Sequence, residues 1–242
     1  MSFAIRDGVE PVRVLSYNVQ GHGALLSGRY LDRIAGVIRE VQPEVVGLQE
    51  VYRGTWRARH QDQAEGLARR TGLTLHFGRS FTARGGEFGN AVLTTGTVNE
   101  AEVVPLPGPG EPRTVLHSRI ALERIELDFY VTHLAAWGRW GSKIRGRQVL
   151  GLLDRLRQGR APFVLAGDLN AGPAAPELLP LLSAEIFRRC GGGIACTHRF
   201  LRQEIDYVFA DPGWTTVRSE VLRVGPSDHW PLLVELHRTT EP

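Results

Sequence analysis

Twice along this chain a short apolar run, an amphipathic period and a second apolar run follow one another, and each time the second run ends on a carboxylate. The first copy is VRVLSYNVQ, then Leu31, Ile34, Ile38 and Val41 at spacings of three or four ahead of Pro43, then VVGLQEV with Glu50. The second is LDFYVTHLAA, then Ile144, Val149, Leu152, Leu153 and Leu156, then FVLAGDLNA with Asp168. Apolar runs this short fit buried strands, and the three-or-four spacing puts apolar groups on one helix face, so the pattern predicts strand–helix–strand units in a layered α/β fold. An internal duplication and the mere recurrence of a common unit both account for it. Strands are expected at 12–17, 45–48, 91–94, 127–132, 163–166 and 207–210, with a further helix over 63–70. The segment PLPGPGEP at 105–112 is short enough to join neighbouring strands, so residues 1–242 are read as one domain.

With 42% hydrophobic and 23% charged residues, the chain lies far from the composition of a disordered protein and can bury a sizeable core. It shows no apolar stretch of signal-peptide or membrane-span type, so a cytoplasmic protein without a span is expected. Cys190 and Cys196 lack a CxxC spacing and are read as free thiols, with His198 their sole neighbouring ligand candidate. A formal charge of +3 and a pI near 9.2 permit attraction to a polyanion without requiring it. The run RWGSKIRGR at 139–147 reads as a solvated helix face.

Most informative is what the strands run into: Asn18 in SYN, Glu50 in LQE, His133 in VTH, Asp168 and Asn170 in GDLN, Asp206 in EID, and Asp228 with His229 in SDH. A single acidic residue after a strand is ordinarily a helix cap or a turn former. A whole set at strand ends, where α/β folds converge side chains on a cleft, points to a site instead. Carboxylate and amide oxygens are hard ligands suited to magnesium, manganese or calcium, and neither an HExxH nor a cysteine cluster supports zinc. Asn18 and Asn170 can position a phosphate or a metal-bound water without adding charge.

In chain order the motifs LSYNVQG, LQEV, FGNAVL, VTHL, GDLNAGP, IDYVF and SDHWPL resemble the endonuclease/exonuclease/phosphatase superfamily over about residues 12–236. The resemblance implies a four-layered α/β/β/α sandwich of two packed mixed sheets and a magnesium- or manganese-dependent phosphoester hydrolase. It implies Glu50, Asn18 and Asp228 as metal ligands, Asp168 to orient or deprotonate water, and Asn170 on a phosphate oxygen. It further implies His229 as transition-state stabiliser, Asp206 as the partner that sets its tautomer, and His133 as general acid. The number of metals stays open.

Asn90 and Arg113 are candidate phosphate contacts, with a turn-shaping role for the first and sheet-edge cover for the second as alternatives. Arg145 and Gln148 are read as surface and packing residues, and His22, His60, His76, His117, His198 and His237 as structural. Trp137 and Trp140 read as packing residues that could also stack on a base. The expected substrate is a phosphodiester, with DNA or RNA favoured; a phospholipid or small phosphoester is second and a silent binding module third. A monomer is expected.

Overall fold

The computed structural model describes residues 10–25, 27, 29–83, 85–136, 140–160, 162–191 and 196–239. In chain order it forms β1 (Val12–Asn18), α1 (Tyr30–Val41), β2 (Val45–Arg53), α2 (Gln63–Thr71), β3 (Thr74–Ala83), β4 (Gly86–Thr94), β5 (Thr97–Leu106) and β6 (Arg113–Ala121). Then follow β7 (Glu126–His133), α3 (Gly141–Arg157), β8 (Phe163–Asp168), α4 (Leu179–Leu182), β9 (Arg188–Arg189), β10 (Asp206–Ala210), β11 (Trp214–Val221) and β12 (Leu232–Arg238). Every expected strand and helix is present, and residues 107–112 join antiparallel β5 and β6, as the Pro/Gly content predicts.

Two six-stranded mixed sheets result, ordered β11-β12-β1-β2-β4-β3 and β5-β6-β7-β8-β10-β9. Each has one parallel pair, β1 with β2 and β7 with β8, flanked by antiparallel pairs on both sides. The repeated strand–helix–strand pattern thus sits at the centre of both sheets, which share one spatial strand order although β6 leads directly into β7 and the corresponding β12 and β1 are the chain's last and first strands. Between them lie Val14, Val45, Val92, Leu116, Ile120, Phe129, Val131, Val164 and Val208. The outer face of the first sheet is covered by α1 and α2 through Leu31, Ile34, Ile38 and Leu67, and that of the second by α3 through Val149, Leu152, Leu153 and Leu156. Four layers follow, and each buried Leu, Ile or Phe contributes about 1.5–3 kcal/mol relative to exposure.

Helix ends match their residues. Asp62 caps α2 by accepting from the Glu65 N–H at 3.0 Å, and Gly72 closes that helix at a φ of +74°. Gln42 ends α1 in the left-handed region just before Pro43. No described helix is long and apolar enough to cross a membrane. Both cysteines are free.

Candidate active site

Parallel pairing sets the ends of β1 and β2 side by side and those of β7 and β8 likewise, so polar residues at those ends fall on one edge of the two packed sheets. In the second sheet the registers pair His133 with Asp168 and Asp168 with Asp206, placing three functional residues in one row across β7, β8 and β10. In the first, Asn18 ends β1 opposite Gln49, and the register between β2 and β4 slips between Leu48 and Val51. That bulge holds Glu50, whose φ of +58° is costly for a residue with a Cβ, about 1–3 kcal/mol, and re-aims its carboxylate. Gln20 and Asn170 share the left-handed region at +42° and +51°. Gly21 allows the close approach of this segment, because a Cβ there would collide with the Glu50 carbonyl oxygen, Gln63 and the Tyr52 ring.

Asn18 bridges the two sheets at the site. Its Nδ2 donates to Asp168 Oδ2 at 3.0 Å and to Glu50 Oε1 at 3.3 Å, while its Oδ1 accepts from the Gln20 N–H at 3.0 Å. The Gln20 side chain donates in turn to Asp228 Oδ2 at 2.6 Å, and Ser227 Oγ donates to the Asn18 carbonyl at 2.8 Å. Glu50, Asn18, Asp168 and Asp228 therefore share one cleft.

Asp168 is buried and accepts from the Asn170 N–H at 2.8 Å; burial pushes its carboxyl up to about 7, against the lowering effect of His229. His229 Nδ1 lies 2.9 Å from Asp206 Oδ2, and its Nε2 3.7 Å from Asp168 Oδ2. Burial alone would strip the ring of its proton, but the Asp206, Asp168 and Asp228 carboxylates outweigh it and hold the imidazolium up to about 10. Asp206 is fixed by its own backbone, whose N–H donates to Thr197 Oγ1 at 3.1 Å. Glu50 also titrates above its ordinary range because it is desolvated, an effect opposed by His229 and the Asn18 amide.

His133 behaves oppositely. Arg113 Nη1 lies 2.8 Å from its Nδ1, and since a guanidinium only donates, that nitrogen accepts and the proton sits on Nε2. Nε2 lies 2.9 Å from Asn170 Nδ2, itself a donor that also reaches the Leu134 carbonyl at 3.1 Å, so the acceptor facing the Nε2–H is Asp168 Oδ2 at 3.5 Å. Burial, then the Arg113 and His229 charges, hold this ring well below the usual imidazole range, so it stays neutral.

Several expectations need correction. Arg113 does not cover a sheet edge: it starts β6, an inner strand, buried between His133 and Glu111. Asn90 shapes no turn; it lies within β4 and donates to the Thr114 carbonyl across the two sheets at 3.3 Å. Arg145 is not a surface residue but is buried in an ion pair with Glu177 at 2.6 Å, while Gln148 packs beneath the site loop by accepting from the Ala135 N–H. His22 and His198 are not merely structural bystanders, since His22 Nδ1 lies 3.9 Å from Glu50 and His198 Nε2 3.7 Å from Asp228. Gln20, Thr197 and Ser227 join them as site residues that sequence reasoning missed. Lys143 and Arg147 are exposed on α3, as a solvated face requires, Trp140 is exposed, and Trp137 and Arg139 lie outside the described residues.

Among the described residues, two groups place three possible ligand atoms within 4.8 Å of one another: Asp168, Asp206 and His229, and His198, Asp228 and His229. Four carboxylates thus face one cleft against one charged imidazole, with two of them raised by desolvation. Hard oxygen donors carrying this excess of negative charge fit a divalent cation.

Fold and site together define a phosphoester hydrolase. The sequence profile of the endonuclease/exonuclease/phosphatase family matches residues 15–229, and the chain belongs to that family. No curated protein matches it. Among solved structures, the endonuclease/exonuclease/phosphatase from Beutenbergia cavernae DSM 12333 superposes with a TM-score of 0.81 at 24% identity, over 97% of this chain and 73% of that one. The mannosyl-6-phosphatase of Bacteroides thetaiotaomicron VPI-5482 gives 0.78 at 18% identity over 93% and 99%. D. rerio TDP2 complexed with single strand DNA product gives 0.78 at 17% over 93% and 98%.

Proposed function

We propose that this chain is a magnesium- or manganese-dependent phosphodiesterase acting on nucleic acid. The observation that carries the reading is the pairing of Asp168, a carboxyl poised near 7, with a His229 imidazolium 3.7 Å away that persists to about 10. A base and a cationic stabiliser on facing sides of one cleft are what in-line attack on phosphorus needs.

In this reading Asp168 orients the attacking water and takes its proton, and the His229 imidazolium neutralises charge on the phosphoryl oxygens, with Asp206 holding the ring by its Nδ1–H. Asn170 positions a phosphate oxygen. His133, held neutral by burial and by Arg113, acts through its Nε2–H as a hydrogen-bond donor at the leaving side, a revision of the general acid that the family pattern suggests. Glu50, Asn18 and Asp228 would hold the cation, which supplies charge neutralisation to the phosphoryl group.

A diester is favoured by the shape beside the centre. An open depression is lined by Gly172–Ala175, which begin two residues after Asn170, together with Cys196 and Arg202–Glu204. Such a depression suits an extended substrate better than a small monoester. Hydrolysis of small phosphoesters is the second reading, supported by the fold likeness to the mannosyl-6-phosphatase. The deciding assay compares bis-p-nitrophenyl phosphate, p-nitrophenyl phosphate and plasmid DNA with magnesium, manganese or EDTA, for wild type, Asp168→Ala and His229→Ala. Metal-dependent diester cleavage lost by about 10²–10⁴-fold in both variants is expected; equal turnover by Asp168→Ala would overturn the scheme.

A further inference from the structure

The segment 197–203 is a tight hairpin welded to the catalytic strand end. Thr197 and His198 N–H groups donate to the Gln203 carbonyl at 2.9 and 3.1 Å, and the Arg202 N–H donates to the His198 carbonyl at 3.0 Å. From the other side, the Arg199 N–H donates to the Asp228 carbonyl at 2.8 Å and the Trp230 N–H to the Thr197 carbonyl at 2.7 Å. His198 Nδ1 accepts the Phe200 and Leu201 N–H groups at 3.3 and 3.2 Å, which holds the tip in one conformation.

On that rigid tip Phe200 is 78% exposed. Its ring centroid lies 6.3 Å from that of His198, which in turn lies 4.6 Å from that of His229. Three rings thus step outward from the catalytic imidazole to solvent. Single exposed apolar residues are common and carry no argument alone. Here the surrounding charge does. Arg199 and Arg223 lie over the Trp230 ring at 5.9 and 5.3 Å, and neither these two nor Arg202 pairs with a carboxylate among the described residues. By contrast, the exposed Arg69, Arg79 and Arg218 each do. Arg202 also lines the open depression that it shares with Gly172–Ala175.

Building on the phosphodiesterase reading, we propose that this hairpin is the specificity wall of the site. It takes an unpaired nucleobase on the Phe200 face, with the flanking phosphates held by Arg199, Arg202 and Arg223, so the substrate is single-stranded polynucleotide. An aromatic face stacks on any base, and guanidinium groups that no carboxylate neutralises, with Arg199 Nη1 donating to the Ser227 carbonyl at 3.3 Å, keep charge and further N–H donors for phosphate oxygens. A base inside a duplex is already stacked on its neighbours and cannot occupy that face. The arrangement is less suited to a bilayer, because the exposed ring shares its hairpin with Arg199 and Arg202, where a lipid contact would require a wider apolar patch.

The test measures binding of a fluorescent oligothymidylate decamer and of an abasic phosphodiester oligomer of equal length, in EDTA, over a range of salt. Phe200→Ala is expected to weaken oligothymidylate binding by about 5- to 150-fold. The loss on the abasic oligomer should be at least fivefold smaller, and Phe200→Trp should restore binding. Arg199→Gln and Arg202→Gln should each lower the slope of log K against log salt by about one, on both oligomers. Equal losses on the two oligomers would overturn the proposal, as would loss of binding to phosphatidylcholine–sphingomyelin vesicles with oligothymidylate binding intact. Hydrolysis of bis-p-nitrophenyl phosphate by wild type and Asp168→Ala is run in parallel. Asp168-dependent turnover without base discrimination defeats the hairpin proposal alone, whereas base discrimination without Asp168-dependent turnover supports the hairpin and defeats the proposed reaction.

Discussion

Nδ1 of His229 lies 2.9 Å from Oδ2 of Asp206, and this hydrogen bond lets a buried ring keep its proton to about 10. Since the imidazolium is the working form in the proposed scheme, activity should fall as pH rises through that value. Asp206→Asn removes the largest opposing charge, so the alkaline limb of the kcat–pH profile should move down toward the ordinary imidazole range, and kcat at pH 8 should drop by about 10²–10³-fold. An unmoved alkaline limb would mean that the imidazolium has no part in the rate.

Asp168 sets the other limb. Its carboxyl is raised from 3.8 to about 7, so the folded state holds that proton more tightly than the unfolded state does. The associated stability is fully present below pH 3.8 and is lost as pH rises to about 7, leaving a buried carboxylate whose desolvation His229, Asn170 and Asn18 offset only in part. Metal-free Asp168→Asn should therefore be inactive yet more stable than metal-free wild type at pH 8, by on the order of 1–3 kcal/mol. The gap should shrink toward pH 4. Thermal unfolding in EDTA at both pH values checks it.

Arg113 holds His133 neutral through Nδ1. Arg113→Met removes both the donor and the repelling charge, so the His133 ring should titrate closer to its ordinary value, while burial and His229 keep it somewhat low. Imidazole nitrogen shifts followed by NMR report this directly: with the guanidinium gone, Nδ1 is free to protonate. A ring that still refuses a proton in the variant would assign the whole effect to burial.

Gly21 adjoins the Glu50 backbone so closely that Gly21→Ala must displace one of them. The substitution should cost about 1–3 kcal/mol of stability. Because Glu50 moves with it, the rise in melting temperature that manganese gives wild type should shrink in the variant. A destabilised variant with an undiminished manganese shift would separate Glu50 from the cation.

The strands whose ends carry the chemistry were legible because each is an apolar run bounded by a residue that such a run excludes. Glu50 and Asp168 follow their runs, and Asp206 opens its own. The edge strand β5 was not, since nearly all its residues face water and it carries no apolar run. Gln20 and His198 were illegible for another reason: their partner, Asp228, is distant in the chain, and no local spacing marks a glutamine as the donor to a carboxylate 208 residues away. Arg145 looked like one basic residue among several on α3 until Glu177 supplied its counter-charge. Local pattern reveals elements and their ends; pairings between loops depend on how the sheets dock.

The Asn18 amide reaches Asp168, 150 positions along the chain and in the other sheet. Either half can in principle reach its own secondary structure with the chemistry still absent, because each carries only part of the charge constellation. Recovery of catalysis during refolding should lag recovery of far-ultraviolet circular dichroism. Turnover then serves as a clock for sheet docking, and a nascent chain interrupted before β8 holds Asn18 and Glu50 without Asp168, Asp206 or His229.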